Sequence, residues 1–342
     1  MSLITNHYVI TNTVSDIDRQ QWEFFVAEHP QGSFFHTPDY VDLHRGLKEY
    51  TPYVVAAFDS TKQLVGLLVA IRSSVYNGIG RYVTSRAIVV GGPLVDSQHP
   101  EVAEMLLKSY CKTIKYSAIY TQFRNQFDTS EFQVAFQHVK ARFEEHLDIL
   151  IDLQKPEETL WQEVHPKRRN KIRQAQKQHV EVRKLSTIEE REKSLRILRN
   201  VYRREKLPLA KKVFFERAFD TLIPKGYLKV YGAFHQQKLI GTRYLLSYKT
   251  QIFDWYAGSD EQFYALRPND LLPWKIFLIS KAEGHTQFDF GGAGKPNIPY
   301  GVRDYKLRFG GTLVNYGRYE IIHNNVIFAF MRVVFRFWQR LH

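Results

Sequence analysis

The alternation of apolar and polar positions shows the same β-hairpin twice along the chain. One copy reads Val-Ala-Ala-Phe at 55–58, a polar turn, then Leu-Val-Gly at 64–66 and a further apolar strand. The other reads Tyr-Gly-Ala-Phe at 231–234, a polar turn, then Leu-Ile-Gly at 239–241 and a further apolar strand. We interpret the repeat as two copies of one domain. A groove between two like domains is a natural place to bind two substrates.

Hydrophobic periodicity predicts a similar order of elements in both halves. In the first half it predicts a hairpin, a third strand, an amphipathic helix and two more strands, at 53–58, 64–71, 81–90, 100–116, 117–123 and 146–153. The second half is predicted to begin with basic helices within 156–178, followed by a strand and helices at 180–185, 188–206 and 211–222. A three-strand meander, a helix capped by Asn269, a strand, a short helix and a last strand region follow, at 227–234, 239–247, 251–257, 269–283, 286–290, 300–309 and 312–322.

Antiparallel meanders that lead into a β-α-β unit indicate an α/β (α+β) fold, in which mixed and mostly antiparallel sheets are flanked by helices. We therefore assign residues 1–154 to one domain. Residues 155–324 form a second domain that starts with the basic helices, and residues 325–342 form a C-terminal basic amphipathic helix.

Charge and length narrow the class of protein. The 342 residues carry a formal net charge of +13, which predicts a polyanionic partner such as a nucleic acid, a nucleotide or diphosphate substrate, or an anionic membrane surface. The first ten residues lack the cationic and apolar stretches of a secretory signal. No apolar run approaches the roughly 18 residues of a membrane span. These features predict a cytoplasmic protein.

Several well-known catalytic motifs are missing from the sequence. It has no Gly-x-Ser-x-Gly elbow, no Walker A sequence and no His-Glu-x-x-His pair. The glycine-rich run at 291–294 continues with Lys295 and a proline, so it does not match a phosphate-binding loop. The single cysteine, Cys111, lies on the predicted helix of the first half, where a core position is the simpler interpretation. We expect no metal site.

A basic run in the second half carries candidate binding chemistry. Within it Arg169, Arg173 and Lys177 recur every four residues, so a helix would align them as a cationic stripe that can hold phosphates. A solvated helix face is the alternative interpretation. The one-sided sign of the charges favours an anionic partner.

Two further segments lie at predicted strand ends. In one, Asp289 is followed by glycines, where the backbone can approach a ligand closely, and a short helix then brings Arg303 and Lys306 near that strand end. In the other, the strand with Asp254 and Tyr256 leads to a helix start that offers free N–H groups and a positive dipole end.

At these residues the chain resembles the Fem-type (FemABX-like) aminoacyltransferases and their relatives in the GNAT acyltransferase superfamily. The matching pattern consists of Trp161 with the run 167–173, the meander, the helix from Asn269, and the segments 288–291 and 305–310. The resemblance covers nearly the whole chain and implies two tandem GNAT-like domains. It also implies an enzyme that transfers an acyl group to an amine.

In the best-known Fem-type members the donor is an aminoacyl-tRNA and the acceptor is a peptidoglycan precursor. The resemblance therefore implies amide formation on a nucleotide- or lipid-linked cell-envelope precursor, with the acyl donor as a co-substrate and no bound cofactor. Two features depart from the family patterns. The coiled-coil arm of some Fem members is missing from 185–223. The Arg/Gln-x-x-Gly-x-Gly/Ala loop of typical GNAT enzymes is replaced by 265–270, which argues against ordinary coenzyme A binding.

Two alternatives stay open on the sequence. One is an acyl-CoA-dependent N-acyltransferase that acts on a nucleotide sugar or polysaccharide precursor. The other is a non-catalytic RNA- or membrane-binding module with a GNAT-like fold, which would show steep salt dependence of binding and no turnover.

Acyl transfer passes through a tetrahedral oxyanion and requires the loss of an amine proton. We assign stabilisation of the anion or of a phosphate to Lys306, acceptance or orientation of the amine to Asp289 or Asp254, and proton donation to Tyr256. A structural salt bridge between Asp289 and Lys306 is the alternative. The predicted substrate-binding residues are Lys167, Arg168, Arg169, Arg173, Arg303, Arg267 and Asn269, to which the resemblance adds His44 and Arg45.

The C-terminal segment is a separate feature. Arg332, Arg336 and Arg340 recur every four residues among aromatic side chains, a pattern typical of a basic amphipathic helix on an anionic membrane. Such peripheral contact of residues 325–342 at the inner face of the membrane would suit a lipid-linked acceptor. Packing of this helix on the protein body is the alternative.

Overall fold

The computed structural model describes residues 3–5, 8–74, 82 and 84–330. These residues form two compact units, each with its own sheet. The first unit combines the described residues up to Glu145 with those from Tyr316 onward, and the second runs from His146 to Asn315. This division differs from the predicted boundary between residues 154 and 155.

The first unit contains a nine-stranded sheet. Its strands are β1 (Leu3–Thr5), β2 (Tyr8–Thr11), β3 (Tyr50–Phe58), β4 (Leu64–Ser73), β5 (Arg86–Val90), β6 (Leu94–Val95), β7 (Tyr120–Arg124), β8 (Arg142–Glu144) and β16 (Arg318–Ile322). They follow the order β1-β2-β3-β4-β5-β7-β16-β8, and β6 pairs with β4. Pairing is antiparallel except between β5 and β7. The helices are α1 (Arg19–Glu28), α2 (Pro38–His44), α3 (Val102–Ile114) and α4 (Gln133–His138).

The second unit contains a seven-stranded sheet in the order β10-β11-β12-β13-β14-β9-β15, in which β13 and β14 are parallel. Its strands are β9 (Leu147–Asp152), β10 (Glu181–Lys184), β11 (Leu228–His235), β12 (Lys238–Tyr248), β13 (Gln251–Ser259), β14 (Gln287–Asp289) and β15 (Thr312–Asn315). Its helices are α5 (Glu157–Glu163), α6 (Pro166–Lys177), α7 (Ile188–Arg204), α8 (Lys212–Leu222), α9 (Pro268–Ala282) and α10 (Gly301–Leu307).

Two strands differ from the predicted arrangement. The sequence pattern places β9 at the end of the first half, whereas β9 pairs with β14 and β15 of the second sheet. The predicted strand region 312–322 is two strands, of which β15 lies in the second sheet and β16 in the first. Gly317, with a φ of +66°, lies between them. Alternation of apolar residues predicts a strand, but it does not predict the sheet in which that strand pairs.

The repeated hairpin of the sequence is present in both units, as β3–β4 and β11–β12. Each copy has a β-bulge at the same place, since the register shifts after Ala57 in one and after Ala233 in the other. In each copy a glycine lies opposite that alanine: Gly66 pairs with Ala57, and Gly241 pairs with Ala233. The two halves therefore share backbone detail as well as element order.

Each of these glycines allows a helix to approach the sheet closely. A Cβ atom at Gly66 would lie 2.5 Å from Val102 in α3. A Cβ atom at Gly241 would lie 3.2 Å from Pro268 and from Leu272 in α9. The glycines therefore position the starts of α3 and α9 against their sheets.

The helices α5, α6 and α9 contribute to the apolar core of the second unit. α5 and α6 are separate at His165-Pro166, as the sequence predicts. The start of α9 differs from the prediction: Arg267 is the N-cap, with a left-handed φ of +59°, and Pro268 occupies the first turn. Proline suits that turn because its fixed φ is helical and its missing N–H has no helical partner.

No helix in the described parts of the chain is long and apolar enough to cross a membrane. Residues 325–330 are helical, which agrees with the start of the predicted C-terminal helix. The remaining predicted positions, including Arg332, Arg336 and Arg340, lie outside the described residues.

Candidate active site

A β-bulge and an open strand edge occur together in the second sheet. The register between β12 and β13 shifts after Tyr244, which leaves Trp255 as an extra residue in β13. β14 pairs with residues 251–253 of β13 and ends at Asp289, so residues 254–259 of β13 run past it. The N–H and C=O groups of such an edge can bind an extended ligand, and bulges are frequent next to active sites.

Lys306 holds the glycine-rich loop that follows β14. Its Nζ donates hydrogen bonds to the carbonyl oxygens of Phe290, Gly291 and Gly292, at 2.7, 2.9 and 2.9 Å. These bonds occupy all three N–H groups of an ammonium. Burial lowers the pKa of Lys306, and nearby carboxylates oppose that shift. Lys306 therefore acts as a fixed positive charge that shapes the loop.

Asp254 is a buried carboxylate near Lys306. Its side chain is 9 % exposed, and its Oδ2 accepts a hydrogen bond from Arg243 Nη1 at 3.0 Å. Its Oδ1 is buried and has no hydrogen-bond partner among the described residues. Burial raises the pKa of Asp254, and the charges of Arg243 and Lys306 oppose the rise. Because an unpartnered buried oxygen is costly, a ligand N–H would be stabilised there.

Asp289 ends β14 and is partly buried. Its Oδ1 accepts a hydrogen bond from the backbone N–H of Gly291 at 2.6 Å. Burial raises the pKa of Asp289 well above its usual range, and the nearby carboxyl of Asp148 adds to the rise. The structure thus brings together three of the predicted catalytic residues, Lys306, Asp289 and Asp254.

A pocket of about 460 Å³ lies at the start of α9. Its polar lining consists of Arg168, Lys171, Tyr264, Arg267, Asn269, Asp270, Asp304, Tyr305 and Arg308. Asn269 is tied into the pocket wall, because its Oδ1 accepts a hydrogen bond from Ser259 and its carbonyl oxygen accepts one from Tyr305. The excess of cations and the positive end of the α9 dipole favour an anionic ligand.

Arg168 differs from its neighbours in the basic run because it is buried. It forms an ion pair with Asp270, and its Nη2 donates to the carbonyl oxygen of Tyr305 at 3.1 Å. Its Nε is buried and has no hydrogen-bond partner in the described part of the chain. The main contribution of Arg168 is thus to the wall of the pocket.

The other predicted residues of the second unit lie elsewhere. Tyr256 is part of an aromatic cluster, with its ring 5.2 Å from that of Phe215. Lys167 is exposed and Arg169 is partly exposed on α6, where Arg173 stacks over Trp161 at 5.3 Å.

Arg303 does not line the pocket at the start of α9. Its guanidinium donates hydrogen bonds to the carbonyl oxygens of Ala293, Lys295 and Ile298 at 3.4, 2.6 and 2.8 Å. Together with Lys306, it fixes the loop over residues 290–298.

His44 and Arg45 belong to the first unit. His44 is buried, and its Nδ1 lies 2.8 Å from the carbonyl oxygen of Tyr40. Arg45 is exposed, lies 3.6 Å from Asp42, and contributes to the rim of a pocket of about 600 Å³. Their predicted role in substrate binding stays a prediction.

Sequence reasoning missed several residues of the second unit. Arg243 and Asp148 are charged residues within otherwise apolar strands, a signal that could have identified them. In addition, the sequence pattern assigns β9 to the first half, so it does not predict that Asp148 lies near Asp289. Lys171 and Arg308 belong to basic segments that the sequence does single out, but their place in the pocket depends on the tertiary fold.

Comparison with known proteins connects this geometry to an acyltransferase fold. Residues 166–307 match the family model of the acetyltransferase (GNAT) domain, and they include Asp254, Asp289, Lys306 and every residue that lines the pocket except Arg308. No curated protein has a sequence that matches this chain.

Solved structures share the fold across nearly the whole chain. A structure of FemX superimposes with a TM-score of 0.72 and 15% identity over 92% of this chain and 98% of that one. L-PGS from Bacillus licheniformis superimposes with a TM-score of 0.60 and 13% identity, over 93% of this chain and 96% of that one. A tandem GNAT protein from the clavulanic acid biosynthesis pathway superimposes with a TM-score of 0.56 and 14% identity, over 93% of this chain and 98% of that one. The predicted α/β fold of two tandem GNAT-like domains is thereby confirmed, as is the prediction of an acyltransferase domain.

Proposed function

We propose that this protein transfers an aminoacyl group from an aminoacyl-tRNA to an amine of a cell-envelope precursor. The GNAT acyltransferase domain supports the reaction class, because enzymes with this domain transfer acyl groups. The fold similarity to FemX and to a putative lysylphosphatidylglycerol synthetase (TM-score 0.57, 11% identity) is in keeping with aminoacyl transfer.

The observation that carries the proposal is the chemistry at the start of α9. Pro268 has no N–H, and the N–H groups of Asp270 and Leu271 both donate to the carbonyl oxygen of Arg267, at 3.0 and 3.2 Å. The N–H groups of Asp270 and Leu271 are therefore engaged within the helix start. These two N–H groups are therefore not available to form a compact nest of the kind that binds a pyrophosphate.

Side chains supply the positive charge instead. Lys171 comes from α6, Arg267 from the turn before α9, and Arg308 from the end of α10. Cations that are spread over three elements suit the spaced phosphates of an RNA strand. They suit the adjoining phosphates of coenzyme A less well.

In the proposed reaction the acceptor amine attacks the ester carbonyl of the aminoacyl-tRNA. A C–N bond forms, the C–O bond to the terminal ribose breaks, and one amine proton moves to the departing ribose oxygen. The fixed charge of Lys306 and the N–H groups of the β13 edge would stabilise the oxyanion. Asp254 Oδ1 would accept a hydrogen bond from the amine.

The test is a transfer assay with purified protein, a pool of radiolabelled aminoacyl-tRNA and UDP-linked muramyl peptides as acceptors. We expect amide formation, and a rise of about 10-fold or more in the KM for tRNA in Arg267→Ala and Lys171→Ala, which corresponds to about 1.4 kcal/mol each. Lys112→Ala, on α3 of the first unit, removes the same charge and should leave KM unchanged. Equal KM values in all three variants would contradict the pocket assignment.

An acyl-CoA-dependent N-acyltransferase is the second candidate. The match to the acetyltransferase (GNAT) domain favours it. Transfer from acetyl-CoA to a nucleotide sugar, with no response to aminoacyl-tRNA, would establish this candidate in place of the first.

A further inference from the structure

Tyr264 presents an exposed aromatic side chain to the pocket at the start of α9. It lies on the short 3-10 helix Glu261–Leu266, between β13 and α9. Its neighbours Phe263 and Leu266 pack against the apolar core of the second unit. Tyr264 is instead 40 % exposed and lines the pocket. Two of the three large apolar side chains of this turn therefore serve the fold, and the third remains accessible to a ligand.

Arg204 fixes the phenol end of this side chain. Its Nη2 donates a hydrogen bond to Tyr264 Oη at 2.7 Å. Ion pairs with Glu205 and Glu261, at 3.0 and 2.9 Å, hold the guanidinium in place. The backbone of Tyr264 is tied as well, because its carbonyl oxygen accepts a hydrogen bond from the N–H of Arg267 at 3.1 Å. The tyrosine is therefore preorganised, which lowers the cost of ordering it when a ligand binds.

The charges around Tyr264 suit phosphate groups. Within the pocket lining, Arg168 and Asp270 neutralise each other as an ion pair. The other charged lining residues are three cations, Lys171, Arg267 and Arg308, and one carboxylate, Asp304. An aromatic ring beside a surplus of cations is the arrangement by which proteins bind the bases and phosphates of single-stranded nucleic acids.

We propose that Tyr264 stacks on a nucleobase while the three cations of the pocket bind the phosphates next to that base. In the proposed reaction the base belongs to the unpaired 3′ end of the aminoacyl-tRNA. The inference thus rests on the proposed function and extends it by naming the residue that recognises the RNA end. Coenzyme A and a nucleotide sugar share the chemistry of base and phosphate, so binding measurements must distinguish these sources from RNA.

The first measurement is the fluorescence anisotropy of a labelled single-stranded RNA that ends in CCA, the 3′ sequence of tRNA. We expect Tyr264→Ala to bind this RNA about 10-fold more weakly than the wild type, and Tyr264→Phe, which keeps the ring, to bind it nearly as well. A matched RNA whose last bases are abasic keeps the phosphates. It should bind the wild type about 10-fold more weakly and should not respond to Tyr264→Ala. Tyr116→Ala removes a 78 % exposed tyrosine of the first unit and, as the control, should bind as the wild type.

The salt dependence of binding separates stacking from phosphate contacts. Loss of one phosphate contact to a single strand reduces the slope of log K against log salt by about 0.7. We expect this reduction in Lys171→Ala. Tyr264→Ala should instead lower the affinity at every salt concentration without changing the slope. A reduced slope in Tyr264→Ala would overturn stacking as the cause, because the loss would then come from displaced cations.

Acetyl-CoA and UDP-N-acetylglucosamine are the other two probes, tested by calorimetric titration. Binding of either one that depends on Tyr264, with no binding of RNA, would uphold the stacked base and contradict the proposed tRNA donor. Equal affinities of the wild type for the normal and the abasic RNA would overturn the inference, as would equal affinities of Tyr264→Ala and the wild type for the normal RNA. Lack of transfer by a wild type that binds RNA through Tyr264 would contradict the proposed function alone.

Discussion

Arg168 and Asp270 form an ion pair whose side chains are 5 % and 9 % exposed. The guanidinium also lies 4.5 Å from the ring centroids of both Tyr305 and Phe309. The pair connects α6 with the first turn of α9, two of the helices that border the pocket at the start of α9. Its loss would therefore affect the pocket as well as the stability of the second unit.

Replacing Arg168 with Met should strongly destabilise the second unit. Asp270 would remain buried without its partner, which costs about 3–5 kcal/mol. Urea unfolding measures this change, and Arg173→Met on the exposed side of the same helix should stay within about 0.5 kcal/mol of wild type. The double variant Arg168→Met with Asp270→Leu should regain most of the loss. A double variant as unstable as the single one would disprove the ion-pair explanation.

Lys306→Met should loosen the loop at 290–298. The substitution leaves three carbonyl oxygens without their donor, and hydrogen bonds to a charged group contribute about 1.5–3 kcal/mol each. We expect a loss of about 3 kcal/mol or more in the free energy of unfolding, and faster proteolysis within the loop. Lys177→Met on the surface of α6 is the control. Unchanged stability together with lost transfer would show a purely catalytic role for Lys306.

His323 should make the first unit sensitive to acid. Its Nε2 lies 2.8 Å from Thr121 Oγ1, and burial lowers its pKa to about 4. The unfolded chain, with a histidine pKa near 6.5, binds more protons than the folded state between these values. Stability is therefore complete above about pH 6.5 and falls as pH decreases towards 4, by about 2 kcal/mol at pH 4.5.

The comparison of thermal or urea unfolding at pH 7 and pH 4.5 isolates this contribution. His323→Gln keeps a polar side chain but cannot titrate, so its stability should fall less between the two pH values. Equal losses in the two proteins would show that other groups cause the acid sensitivity.

Alanine at the paired hairpin glycines should be destabilising in both units. An added methyl group at Gly66 or Gly241 presses on the start of a helix, and overpacking of this kind costs about 1–3 kcal/mol. Gly301→Ala is the matched control, because no atom lies within 4 Å of its added Cβ. Since Gly66 and Gly241 belong to different units, their effects should add within about 0.5 kcal/mol. A neutral Gly66→Ala would indicate that α3 can shift without cost.

Local patterns predicted the elements of this fold well. The hairpins, the break before Pro166 and the strand with Asp289 all follow from periodicity, proline and glycine. Local patterns did not predict that β9 pairs within the second sheet and β16 within the first. The pairing partner of a strand depends on contacts between residues far apart in sequence. Asp148 was missed for the same reason.

The candidate site was predicted in part. Asp254 lies within one strand, Asp289 ends the neighbouring strand and Lys306 belongs to a short helix. All three elements are recognisable in the sequence. A positive charge alone does not reveal its partner, so Arg168 and Arg303 could not be told apart from ligand-binding cations. The structure shows that Asp270 pairs with Arg168 and that backbone carbonyl oxygens accept hydrogen bonds from Arg303.

The position of β16 has a consequence for the order of folding during synthesis. In the first sheet β16 lies between β7 and β8, and β8 is attached to that sheet through β16. The ribosome must therefore produce Ile322 before the first unit can complete its sheet. The second unit is continuous from His146 to Asn315. The usual order, in which the N-terminal domain folds first, is therefore reversed for the last step: the unit made second can finish before the unit made first.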